Sequence, residues 1–131
     1  MRSTMSSLPL RVLIAGAHPI VALGLADVLH KLGYTLTGSV VSGLDALAAA
    51  AEHHPDLMLV DVDLSGDMDG ITAAIEIHNR LGIRSVLLAE QFDERMRARA
   101  AAADPVAFLD KTSPLSVIAD VLRAAPLRLT H

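Results

Sequence analysis

The chain has 131 residues, 52% of them hydrophobic, with no cysteine and a formal net charge of −4. One domain is expected at this length, burying about two thirds of the surface its unfolded chain exposes without a disulfide or metal staple. The lack of cysteine excludes thiolate metal sites and cysteine nucleophiles, and 11 Lys plus Arg against 15 Asp plus Glu argue against a nucleic-acid partner, since neutralising phosphates needs clustered cations.

Residues 1–9 are Ser-rich, without a long apolar stretch or a small-residue cleavage site, and read as a disordered lead-in to a cytoplasmic protein. From Leu10 onward short apolar runs alternate with longer amphipathic stretches, the pattern of β-α units around a parallel sheet. Residues 11–15 form the first strand. Pro19 opens a helix on which Ile20, Leu23, Leu25, Val28, Leu29 and Leu32 recur at helical spacing until Gly33. Residues 34–41 read as a second strand, and Ser42-Gly43-Leu44-Asp45 as a capping box before an Ala-rich helix that His53-His54-Pro55 ends. Leu57-Met58-Leu59-Val60 is the clearest buried strand, running into a loop with four aspartates between Asp61 and Asp69. Ile71, Ala74, Ile75, His78 and Leu81 trace the next helix face; residues 85–89 follow as a strand, 92–103 as a helix with Phe92, Met96 and Ala100 inward, and 106–109 as the fifth strand. Ser113-Pro114 caps a last helix striped by Leu115, Ile118, Val121 and Leu122. The domain so defined covers residues 10–125, with a tail at 126–131. No apolar run approaches the ~20 residues of a spanning helix.

In such open parallel sheets function gathers at the C-terminal ends of the strands. The residues placed there are Gly16 and Ala17, then Asp61, then Ala89 and Glu90, then Asp110 and Lys111. Opposite charges at Asp61 and Lys111 hold each other ionised at close range, as a structural ion pair or as part of a reactive site. Asp63, Asp67 and Asp69 lack the spacing of a calcium loop and fit turn chemistry and helix N-terminal charge. His53 and His54 leave a helix about 100° apart and cannot share a metal. His18 reads as a solvated residue before a helix-starting proline. Gly16-Ala17-His18 carries no dinucleotide fingerprint. Arg95, Arg97 and Arg99 with Asp93 and Glu94 read as a solvated helix face or a docking surface.

The strand–helix order, Asp61 closing the third strand, the Met68-Asp69-Gly70 turn, Pro55-Asp56-Leu57 leading into that strand and Lys111 closing the fifth resemble the receiver domain of two-component response regulators. The resemblance implies a (βα)5 flavodoxin-like three-layer α/β sandwich with a five-stranded parallel sheet. It also implies a phospho-acceptor at Asp61, served by Mg²⁺, a site lysine at Lys111 and a switch aromatic at Phe108. Its acidic pair falls on Gly16 and Ala17, and its strand-four hydroxyl on Ala89, so two of four chemical parts are missing. Asp61 is then the sole convergent side-chain ligand for a cation that wants six oxygens, so no cofactor is expected, and Mg²⁺ only if Asp61 still accepts phosphate. The family's proline after the lysine is Thr112 here, and on energetic grounds the Lys111–Thr112 peptide is expected to be trans.

The reading is an atypical, stand-alone receiver acting as a signalling interaction module rather than an enzyme. It would meet a histidine kinase, a phosphotransfer protein, a downstream effector or a second copy of itself through the face of helix four, strand five and helix five. The alternatives are a working phospho-acceptor at Asp61 and a small-ligand binder in the space left by Gly16, Ala17 and Ala89.

Overall fold

The short apolar runs form β1 (Arg11–Ala15), β2 (Thr35–Val40), β3 (Leu57–Asp61), β4 (Arg84–Ala89) and β5 (Ala107–Asp110), paired in parallel in the order β2-β1-β3-β4-β5. Between and after them lie α1 (Pro19–Lys31), α2 (Gly43–His53), α3 (Gly70–Leu81), α4 (Glu94–Ala100) and α5 (Leu115–Ala124). The architecture is the (βα)5 flavodoxin-like sandwich. The structure, a computed structural model, describes residues 10–16 and 19–124. Ala17, His18, residues 1–9 and 125–131, and the side chains of Ile20, Leu23, Leu115 and Val121 lie outside the described residues.

Strand side chains alternate between two buried layers, which is why β1, β3 and β4 read as continuous apolar runs. Leu13, Ala15, Met58, Val60, Leu87 and Ala89 pack with Ala46 and Ala50 of α2, Ile71, Ala74 and Ile77 of α3, and Ala100 of α4. Val12, Ile14, Leu57, Leu59, Val86 and Leu88 pack on the other face with Leu25, Val28 and Leu29 of α1 and Ile118 and Leu122 of α5. Asp56 ties the strand starts together, its Oδ2 accepting the Arg11 N–H at 2.8 Å.

Element ends follow local chemistry. Ser42 Oγ accepts the Asp45 N–H at 3.1 Å and caps α2. At the other end His54 takes the left-handed conformation and donates its N–H to the Ala50 carbonyl, after which Pro55 forbids another turn. The predicted helix over 92–103 is shorter than expected. Asp93 caps α4 by accepting the Met96 N–H at 2.8 Å, which leaves Phe92 ahead of the helix, and residues Ala101–Ala103 tighten into a 3-10 turn. β5 begins one residue later than expected, at Ala107, and takes in Asp110.

Strand order reverses direction between β1 and β3, so the crevice for function opens over the C-terminal ends of those two strands. No helix among the described residues is long and apolar enough to cross a membrane.

Candidate functional site

Asp61 ends β3 with its side chain 6% exposed, and Lys111, just past β5, has a side chain 10% exposed. Lys111 Nζ donates to Asp61 Oδ1 and Oδ2, both at 3.1 Å, and to Asp63 Oδ2 at 3.2 Å. Asp61 Oδ1 also accepts the Asp63 N–H at 2.8 Å, a turn that closes directly on the strand end. One ammonium therefore bridges two carboxylates, one buried and one largely in water. The expected Asp61–Lys111 pair is present. Asp63, expected to serve turn chemistry alone, is corrected to a second partner of Lys111, and Asp61 is not the only carboxylate at this point. The missed signal is the two-residue spacing of Asp61 and Asp63 across a strand end, where the chain turns back on itself.

Lys111 is placed by its neighbours on β4 and β5. Its N–H donates to the Ala89 carbonyl at 2.9 Å, extending the ladder one residue past β5. The turn that follows is held by Asp110, whose Oδ1 accepts the Thr112 Oγ1 hydroxyl at 2.6 Å and the Thr112 N–H at 2.8 Å. Those two bonds hold the Asp110 carboxyl below the usual aspartate range. The Lys111–Thr112 peptide is trans.

Burial works against the Lys111 charge, but hydrogen bonds and attraction from Asp61 and Asp63 outweigh it and hold the ammonium above the ordinary lysine range. A cation whose folded pKa is raised contributes stability that is complete below its unfolded value and is lost as the pH rises through the folded value. Urea melts of the native chain and of Lys111→Met are therefore expected to show a stability gap that is constant through neutral pH and narrows only above about pH 10. A gap unchanged into strong alkali would refute this assignment.

The remaining expected residues fall around this pair. Gly16 follows β1 and donates its N–H to the Val40 carbonyl; Ala17 and His18 are outside the described residues. Ala89 is buried, its methyl in the same apolar cluster against which Phe108 packs. Glu90 and Asp67 are exposed, as are His53 and His54. Asp69 caps α3 by accepting the Thr72 N–H at 2.8 Å, as helix-terminal chemistry predicts. Burial raises its pKa, but the Arg99 hydrogen bond and those from Thr72 prevail and lower it.

Arg95, Arg97 and Arg99 are all exposed, as a solvated face requires, and two of them also reach other elements. Arg99 Nη2 donates to Asp69 Oδ1 at 3.0 Å and to Thr72 Oγ1. Arg97 lies with its guanidinium carbon 4.6 Å from the Phe108 ring centroid and 5.5 Å from that of Phe92. The two rings meet edge to face, with centroids 4.9 Å apart at 71°. Helical periodicity alone does not reveal either contact, because both cross to other elements.

A parallel α/β domain whose crevice carries a buried aspartate at the end of β3 and a lysine past β5 defines a narrow class. The profile described as the response regulator receiver domain matches residues 12–123, and the chain belongs to that family. It is 34% identical over 127 residues to the transcriptional regulatory protein PdtaR of Mycobacterium tuberculosis, covering 96% of this chain and 60% of that protein. It is 34% identical to the response regulator protein VraR of Staphylococcus epidermidis, covering 87% of this chain and 55% of VraR. The chain thus spans well under two thirds of these relatives. Among solved structures it resembles the signal receiver domain of a modulated diguanylate cyclase from Desulfovibrio desulfuricans, with TM-score 0.79, 26% identity, and 89% and 93% of the two chains covered. The receiver domain of a putative NarL regulator from Mycobacterium tuberculosis superposes with TM-score 0.78 at 25% identity, covering 88% of this chain and 94% of that one.

Proposed function

We propose that this receiver works as a protein-interaction module in two-component or phosphorelay signalling, in the cytoplasm, with little or no Mg²⁺-dependent phosphorylation and no enzymatic turnover. The observation that carries the reading is the Lys111 ammonium, seated 3.1 Å from both oxygens of Asp61 and braced by Asp63. An arriving cation would meet this ammonium beside Asp61 and has to find further ligands that the chain is short of.

Mg²⁺ takes six oxygens in near-octahedral array and is usually held by one or two carboxylates with water and phosphate. The donor set does not fit it well. Both oxygens of the buried Asp61 are already engaged, Gly16 and Ala17 have no side-chain oxygen, and among the described residues no three His, Asp or Glu side chains converge. A Cβ at Gly16 would meet only Ile14 Cγ2, at 3.8 Å, so the backbone there leaves space for a β-carbon. Transfer of a phosphoryl group depends on positioned donors and cations around its oxygens, and the Ala89 methyl supplies neither. Asp61 and Lys111 then serve as an ion pair that holds β3 and β5 together.

The docking surface in this reading is the α4–β5–α5 face, where Arg95 is exposed and Val117 is 43% exposed. Its partner is a histidine kinase, a phosphotransfer protein, an effector or a second copy. Nucleic acid and membrane are not among the partners proposed, given the acidic balance of the chain.

Incubation with acetyl phosphate and Mg²⁺, and separately with beryllofluoride and Mg²⁺, is the direct test. The intact mass is expected to stay unmodified and the amide spectrum unmoved. Stoichiometric modification of Asp61 would overturn this reading and establish a working phospho-acceptor.

A further inference from the structure

Arg97 and Arg99 are two positions apart and so leave α4 about 200° apart. One meets the aromatic pair Phe92 and Phe108; the other meets Asp69 and Thr72 at the start of α3. That start is seated on the site itself. The Gly70 N–H donates to the Val62 carbonyl at 3.0 Å, and a Cβ on Gly70 would fall 2.1 Å from the Asp61 carbonyl oxygen, so the two backbones are in direct contact. α4 has only seven residues, of which Ala100 is buried. A helix that short has no stability of its own, so its position is set by what its side chains hold.

We propose that Arg99 is a positioning residue that couples the Asp61 loop to Phe108 through α4, by an ion pair at one end and the Arg97 cation–π contact at the other. The path runs from the Asp61 backbone to Gly70 and Asp69, across to Arg99, along α4 to Arg97, and onto the Phe108 ring. It does not pass through Ala89, where the chain lacks a hydroxyl, and it does not require Asp61 to be modified. A displacement of the strand-end loop moves the α3 cap, and the cap carries α4 with it. Desolvation is partial at the ion-pair end, where the side chains of Arg99 and Asp69 are 47% and 46% exposed, so the tether is adjustable rather than locked.

The test is a double-variant cycle on the full chain read by the assigned ring resonances of Phe92 and Phe108, the only two phenylalanines in the sequence. Asp69→Asn keeps an oxygen to cap α3 while removing the charge that holds Arg99. Asp69→Asn and Arg99→Gln are each expected to shift both rings, and the double variant to shift them no further than the larger single one. Arg99→Lys, which keeps the positive charge, is expected to return the rings most of the way to their native positions. Rings that stay unmoved in Asp69→Asn, shifts that add in the double variant, or failure of the lysine to restore them would each overturn the proposal.

Discussion

Lys111→Met is expected to destabilise the domain by about 3–5 kcal/mol, the range for removing one partner of a buried ion pair. The size follows from what is left behind rather than from the pair's own attraction. Asp61 is 5% exposed, and without Lys111 its carboxylate keeps, among the described residues, only the Asp63 N–H as a hydrogen-bond donor. Taking away the charge as well reverses most of the cost, because a neutral amide costs far less to bury than an unpaired carboxylate. The double variant Asp61→Asn, Lys111→Met is therefore expected to recover most of the lost stability. Asp63→Asn, by contrast, is expected to cost about 1 kcal/mol or less, since its side chain is 66% exposed and its contact with Lys111 is screened by water. Urea unfolding of the three variants checks all of this. Equal losses in Lys111→Met and in the double variant would show that Lys111 matters for its packing and not for its charge.

Gly70→Ala is expected to cost about 1–3 kcal/mol, at the upper end of that range, as overpacking against atoms that cannot swing aside. The added Cβ would lie 2.1 Å from the Asp61 carbonyl oxygen and 2.7 Å from the Val62 Cα, all backbone. Relief requires α3 to back away from the end of β3, weakening the Gly70 to Val62 hydrogen bond and shifting the Asp69 cap. Gly16→Ala is the matched control. It meets only Ile14 at 3.8 Å and is expected to change stability by no more than about 0.5 kcal/mol. Comparable losses at the two positions in thermal or urea melts would remove the close approach of α3 to β3 as the cause.

Much of the fold was legible in the residues. The apolar runs in β1, β3 and β4 mark strands buried on both faces, and Ser42 and Pro55 mark helix ends by their chemistry. α4 was harder, because Phe92 and Met96 suggest an inward helical stripe from residue 92 onward. Asp93 interrupts it by bonding the Met96 N–H, a cap that its position before Glu94 allows but that competes with helical periodicity. The site was legible in part. Asp61 and Lys111 are placed by their strands, and the absence of carboxylates at Gly16 and Ala17 and of a hydroxyl at Ala89 is a matter of residue identity.

What the sequence determined by itself, then, is the order of strands and helices and the set of functional groups carried at the strand ends, since both depend on residue type and local spacing. Only the tertiary structure decided where the long charged side chains go. Lys111 reaches Asp61 and Asp63 from 50 and 48 residues away, and Arg99 reaches Asp69 from 30. The physical reason is that a lysine or arginine stem has many rotamers of nearly equal energy. The choice among them is made by carboxylates and rings that only the closed sheet brings within reach.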